Sequence, residues 1–106
     1  MDKQLLNIEK NISGLWDNEH VSLNLNLKKS GQESTVVYMR KVHATKTEIA
    51  GTFSIQKEDD SYLMNMIFKL QGNPTPTNMN FKVDNISSKD LQLSSNGVII
   101  KFFRVS

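Results

Sequence analysis

The sequence contains no cysteine, and Arg40 and Arg104 are its only two arginines among 106 residues. Without cysteine the chain has neither disulfides nor thiolate metal sites. Bidentate recognition of phosphate groups depends on arginine, so a chain with two arginines is poorly suited to it. The 13 basic and 11 acidic residues also alternate along the chain instead of forming a basic block. Because binding to nucleic acid needs cations concentrated on one face, we do not expect a nucleic-acid partner.

Long apolar runs are absent as well, and no stretch approaches the roughly 20 apolar residues of a transmembrane helix. The first four residues do not lead into the apolar core of a signal peptide. We therefore expect a periplasmic or cell-envelope location if a leader has been removed, and a cytoplasmic location otherwise. A chain of 106 residues fits one domain with a single core.

Residues 1–12 are predicted to form an N-terminal helix or arm, and residues 13–106 a single β-domain. Leu5, Ile8 and Ile12 recur at three- and four-residue spacing, which is typical of a short amphipathic helix. We expect this helix to cover one end of the sheet.

From His20 onward the apolar period is two, as in strands with one wet face. Polar breaks are predicted at 44–47 and 85–90, and Gly51 within a strand indicates a bend or bulge. Seven or eight short strands with tight turns and no second helix predict an all-β antiparallel meander that closes as a barrel or a sandwich. The strand at 34–43 stays ambiguous, because both of its faces carry apolar bulk and a cation.

The strands that alternate most clearly predict a set of inward-facing side chains. Methionines among aromatic residues are typical of adaptable apolar pockets, whereas eight strands also enclose an interior that side chains can just fill. Both interpretations stay open, and we expect a filled or nearly filled core. The set comprises Phe53, Ile55, Tyr62, Met64, Met66, Phe68, Met79, Phe81, Leu91 and Leu93.

Arg40 is a further candidate binding residue, provided that its strand turns it inward. An apolar pocket with one fixed cation at its mouth suits a fatty acid or a similar anion.

No motif for catalysis or metal binding is present. His20 and His43 lie in different strands without a carboxylate at metal-ligand spacing. There is no nucleophile elbow and no phosphate loop. We therefore predict no enzymatic activity, no cofactor and no metal site.

Gly14-x-Trp16 opens the meander, and Phe102-Phe103-Arg104-Val105 closes it. With the preceding Asp90-Leu91-Gln92-Leu93 strand and the Asn96-Gly97 turn, this arrangement resembles the small bacterial lipocalin-like domains, which are calycin-type β-barrels. The resemblance implies that Trp16 packs at the closed end and that Arg104 lies across it, with Gly14 completing the signature. It also places any pocket at the opposite end.

The resemblance implies a non-enzymatic barrel that binds a small apolar or amphipathic ligand, with Arg40 and the inward residues Phe53, Tyr62, Met64, Met66, Phe68, Met79 and Phe81 as candidate ligand contacts. The alternative is a protein-interaction module of inhibitor or immunity type with a filled core, whose partner is another protein or a second copy of the chain.

Overall fold

A computed structural model describes residues 2–29, 31–42, 45–69, 72 and 75–106. In these residues one helix precedes eight strands that close into a barrel, each strand antiparallel to the next and β8 antiparallel to β1. The predicted all-β meander is confirmed, and it closes as a barrel. The elements are α1 (Lys3–Asn11), β1 (Gly14–Asp17), β2 (Val21–Asn26), β3 (Ser34–Val42), β4 (Thr45–Glu58), β5 (Ser61–Phe68), β6 (Thr77–Ile86), β7 (Asp90–Ser95) and β8 (Val98–Arg104).

The helix covers one end of the barrel, as predicted. Asp2 caps it by accepting hydrogen bonds from the backbone N–H groups of Gln4 (3.0 Å) and Leu5 (3.2 Å). Ile8 and Ile12 point into the barrel and are buried in its core. The nine-residue helix, the only one in the described part of the chain, is too short to cross a membrane.

Pairing of β3 with its neighbours decides the ambiguous face of that strand. Tyr38 lies directly opposite Leu23 of β2 and Ile49 of β4, and directly paired residues share a face. Val36 is buried, so the face that carries Val36, Tyr38 and Arg40 is the inner one. His43 of the predicted strand lies outside the described residues.

Two predicted breaks overlap strands in part, although residues 87–89 of the second do separate β6 from β7. Thr45–Thr47 belongs to β4, while Ala44 lies outside the described residues. Asn85 and Ile86 belong to β6, because a bulge between Val83 and Asn85 shifts the alternation by one residue and turns Ile86 into the core. The register continues without a bulge through Gly51, which instead allows close contact, since a Cβ there would lie 2.6 Å from the Phe68 ring.

Trp16 and Arg104 close the barrel. They lie directly opposite each other in the β1–β8 pair, and the guanidinium carbon lies 4.3 Å from the centre of the indole ring. Arg104 also donates to the carbonyl oxygens of Ser13 (2.8 Å), Ser88 (2.7 Å) and Asn11. The predicted contact between the indole and the guanidinium is therefore confirmed.

Gly14 makes room for this arginine. It has a φ of +140°, and a Cβ there would collide with the Arg104 guanidinium and lie 2.7 Å from the Ser106 carbonyl oxygen. We expect Gly14→Ala to cost about 1–3 kcal/mol in backbone strain alone, and more because Arg104 must move. Denaturant unfolding measures this loss.

Gly31→Ala is the matched control, because Gly31 has a φ of +91° but no atom lies within 4 Å of the point that an added Cβ would occupy. Gly31→Ala introduces the backbone strain of a positive φ but no steric collision. An equal loss in the two variants would show that the space under Arg104 does not matter.

Candidate ligand cavity at the open end

Side chains fill the helix-covered end of the barrel. Trp16 is fully buried, and its indole N–H donates to the Ile12 carbonyl oxygen at 2.8 Å. Because the helix C-terminus presents unpaired carbonyls there, the donors of Trp16 and Arg104 satisfy the last turn of α1. This end is therefore closed by hydrogen bonds as well as by packing. A separate cleft of about 810 Å³ lies beside it, and its lining includes Leu5 and Glu9 of the helix and Phe53 of β4.

The opposite end holds a cavity in two adjoining parts. The outer part measures about 310 Å³, and its lining includes three hydroxyl-bearing residues and one cation. The inner part measures about 150 Å³ and is lined by aliphatic, methionine and aromatic residues. The outer lining consists of Tyr38, Arg40, Thr47, Ile49, Phe68, Thr77 and Met79; the inner lining consists of Val21, Leu23, Tyr38, Met66, Met79, Phe81, Leu93, Ile100 and Phe102.

Tyr38 and Met79 lie between the two parts, since both residues line both of them. The Tyr38 ring meets the Phe68 ring edge to face, with the ring centres 5.9 Å apart. Met79 is half-buried, and an unbranched thioether side chain adapts its shape easily. One rigid and one flexible side chain thus lie between the two parts.

Arg40 lies at the mouth of the outer part. Its backbone pairs with Val21 and Thr47, one step beyond Tyr38 on the inner face of β3. No hydrogen bond or ion pair engages its side chain among the residues that the structure describes, and no carboxylate lines the outer part. The guanidinium is therefore available to an anion.

Lys41, the next residue, faces outward and is already paired. Its ammonium group lies 2.5 Å from the Asp17 carboxylate, which also accepts a hydrogen bond of 2.5 Å from Ser22. These hydrogen bonds, that from Lys41 first, hold the pKa of Asp17 below its ordinary value. The two neighbouring cations of β3 thus differ in their partners. Lys41 pairs with Asp17 on the outer surface, whereas Arg40 is unpaired among the described residues.

Comparison with protein family models finds no match, and comparison with curated proteins finds none either. Among solved structures, the chain is similar to a lipocalin-like protein from Bacteroides uniformis ATCC 8492, with a TM-score of 0.61 and 16% sequence identity. The similarity covers 87% of this chain and 96% of that one. The fold is lipocalin-like.

Five of the eight candidate ligand contacts lie around the cavity of the lipocalin-like barrel. They are Arg40, Met66, Phe68, Met79 and Phe81. Phe53, Tyr62 and Met64 are buried toward the end that the helix covers and do not line either part. Strand alternation identified inward-facing residues correctly, but it carries no information on their depth in the barrel.

Several lining residues were not among the candidates, and Tyr38 is the most central of them. Its strand had an ambiguous face, and only the pairing of Leu23 with Tyr38 resolves it.

His20 is exposed on the surface, and His43 lies outside the described residues. In the described part of the chain, no three His, Asp or Glu side chains come together in a way that would hold a metal ion.

Tyr62 stabilises the helix end of the lipocalin-like barrel through its hydroxyl group, which donates to the Asp2 carboxylate. Lys57 also lies 3.3 Å from that carboxylate. The hydrogen bond to Asp2 raises the pKa of Tyr62 to about 12, and the same bond lowers the pKa of Asp2 to about 2. Asp2, the N-cap residue of α1, is thereby attached to β5.

We expect ultraviolet titration to show Tyr62 ionising near pH 12, and Asp2→Ala to return its pKa toward the ordinary 10.0. Because the bond raises the pKa of Tyr62 above 10.0 and lowers that of Asp2 below 3.8, it stabilises the fold fully between about pH 4 and 10. This contribution is lost as the pH rises from about 10 to 12 and as it falls from about 4 to 2. Tyr62→Phe identifies the transition, since it removes that group alone. An unchanged titration in Asp2→Ala would contradict the assignment.

Proposed function

We propose that this protein is a non-enzymatic binder of a small amphipathic molecule that carries a carboxylate or a similar anionic group. The observation that supports the proposal most strongly is the polarity gradient of the cavity, with the unpaired Arg40 at its mouth and apolar walls below it. A cation at the rim positions an anionic head, while the inner part removes an apolar tail from water.

The size of the cavity favours a short ligand. The outer part, at about 310 Å³, lies at the lower end of the range of about 300–1,000 Å³ that is typical of small-molecule sites. The inner part adds about 150 Å³. A single aliphatic chain fits these two small volumes better than a fused-ring ligand does.

The cavity lining also supports a binding function without catalysis. Arg40 is the only charged residue that lines the two parts within the described residues, and the remaining polar groups are hydroxyls. An arginine stays protonated and cannot serve as a general base. The interaction module with a filled core fits less well, because the open half of the barrel is not filled. A location in the cell envelope stays a prediction.

The first test concerns the anionic head. We expect Arg40→Ala to weaken dodecanoate binding about fivefold, which corresponds to about 1 kcal/mol for an ion pair at an exposed rim, and to leave dodecanol binding unchanged. Titration calorimetry measures both ligands. Lys101→Ala is the matched control, because it removes one positive charge from the outer face of β8. Equal effects of the two substitutions on dodecanoate would refute a specific role for Arg40.

The second test concerns the tail. Met66 is fully buried and lines the inner part, so Met66→Trp should fill that space and weaken dodecanoate binding at least about tenfold. Ile67→Trp places the same side chain on the outer face of β5, where Ile67 is exposed, and should leave binding unchanged. Thermal unfolding checks that both variants fold. Native affinity in a folded Met66→Trp variant would exclude the inner part as the tail site.

A further inference from the structure

Strand β6 extends past its neighbour β7 at the open end of the barrel. On one side, Thr77–Phe81 pairs with β5. On the other side, the β6–β7 register begins only at Lys82, opposite Ser94. In the described part of the chain, no strand pairs with Thr77–Phe81 on that second side. Because alternate residues of an antiparallel strand direct their N–H and C=O groups to opposite neighbours, this edge presents backbone groups without a strand partner.

A cleft of about 670 Å³ lies beside this edge. One wall is β6 itself, from Asn78 to Lys82, and the other is the end of the β7–β8 hairpin, from Ser94 to Gly97. Five residues of a strand extend for about 17 Å at about 3.4 Å per residue. The cleft therefore lies where one further extended segment would continue the sheet.

The side chains along the edge alternate in chemistry. Met79 and Phe81 face inward, are half-buried and line both the cleft and the inner part of the cavity. Asn78, Asn80 and Lys82 face outward and are exposed. A strand paired with this edge would place its own side chains on the same two faces, so apolar residues would contact Met79 and Phe81 and polar residues would lie beside the amides and the lysine.

The charge of Lys82 favours some added strands over others. The Lys82 side chain has no ion pair or hydrogen bond among the described residues. An acidic residue on the outer face of an added strand would pair with it. A basic residue there would be repelled.

We propose that the Thr77–Phe81 edge of β6 binds an extended peptide segment of a partner protein by strand addition, and that the segment alternates apolar with acidic residues. Main-chain hydrogen bonds contribute affinity in this mode, and the alternating side chains contribute selectivity. The edge of β8 is a weaker candidate, because the Asn18 side chain already donates to its Lys101 carbonyl oxygen at 3.2 Å.

The test uses the whole protein and a blocked synthetic peptide, acetyl-Thr-Glu-Phe-Glu-Leu-Glu-Thr-amide. We expect peptide-induced changes in backbone amide NMR shifts confined to residues 77–82 and 94–97. Two further peptides carry N-methyl groups, one on the Phe and Leu nitrogens and the other on the Glu nitrogens. Only one of these two sets of nitrogens faces β6, so one peptide should lose at least about tenfold in affinity and the other little.

Lys82→Glu should weaken binding of the acidic peptide at least fivefold and strengthen binding of a version with lysine in place of glutamate. Lys101→Glu, the same charge change on the outer face of β8, should alter neither affinity. The proposal fails if millimolar peptide shifts no amide of 77–82, if the shifts lie at 98–102 instead, if both N-methylated peptides bind equally, or if Lys82→Glu leaves both affinities unchanged.

Discussion

The fold depends on the guanidinium of Arg104, which lies between the Trp16 ring and the carbonyl groups at the end of the helix. One side chain thereby connects α1, β1 and β8, the first and last elements of the chain. Stacking on an indole contributes about 0.5–2 kcal/mol, and the hydrogen bonds fix the orientation of the group. Gly14 is required for the same reason, because any side chain there would occupy the space of the arginine.

Closure at this end leaves the empty interior of the barrel at the other end. Ile8, Ile12 and Trp16 fill the barrel under the helix, and Tyr62 attaches the helix cap to β5 through Asp2. The interior that remains unfilled is at the far end, where Arg40 lies at the rim. At the same end β7 stops at Ser95, which leaves part of β6 without a partner on one side. The proposed cavity and the proposed peptide site meet at Met79 and Phe81.

Much of the fold could be predicted because the signals for it are local. The alternation in β5 identified Tyr62, Met64, Met66 and Phe68 as inward, and all four are buried. The bulge in β6 could not be predicted, because it reflects the pairing of Val83 and Asn85 with β7 and not a feature of the β6 sequence. For the candidate site the result is mixed. Met66 and Phe68 line the cavity, but Tyr62 and Met64, on the same strand and the same face, lie nearer the helix.

The sequence by itself determined the fold class and the helix that covers one end, because period-two alternation and amphipathic spacing are properties of consecutive residues. The Trp16–Arg104 pair was predicted from the resemblance of its flanking motifs to the lipocalin-like domains. Only the tertiary structure decided which face of β3 points inward and which inward residues border empty space. Both depend on register between strands, and register comes from contacts between residues far apart in the chain. Arg40 illustrates the difference, since its position at the mouth of the cavity follows from its pairing with Val21 and Thr47 and not from its own neighbours in sequence.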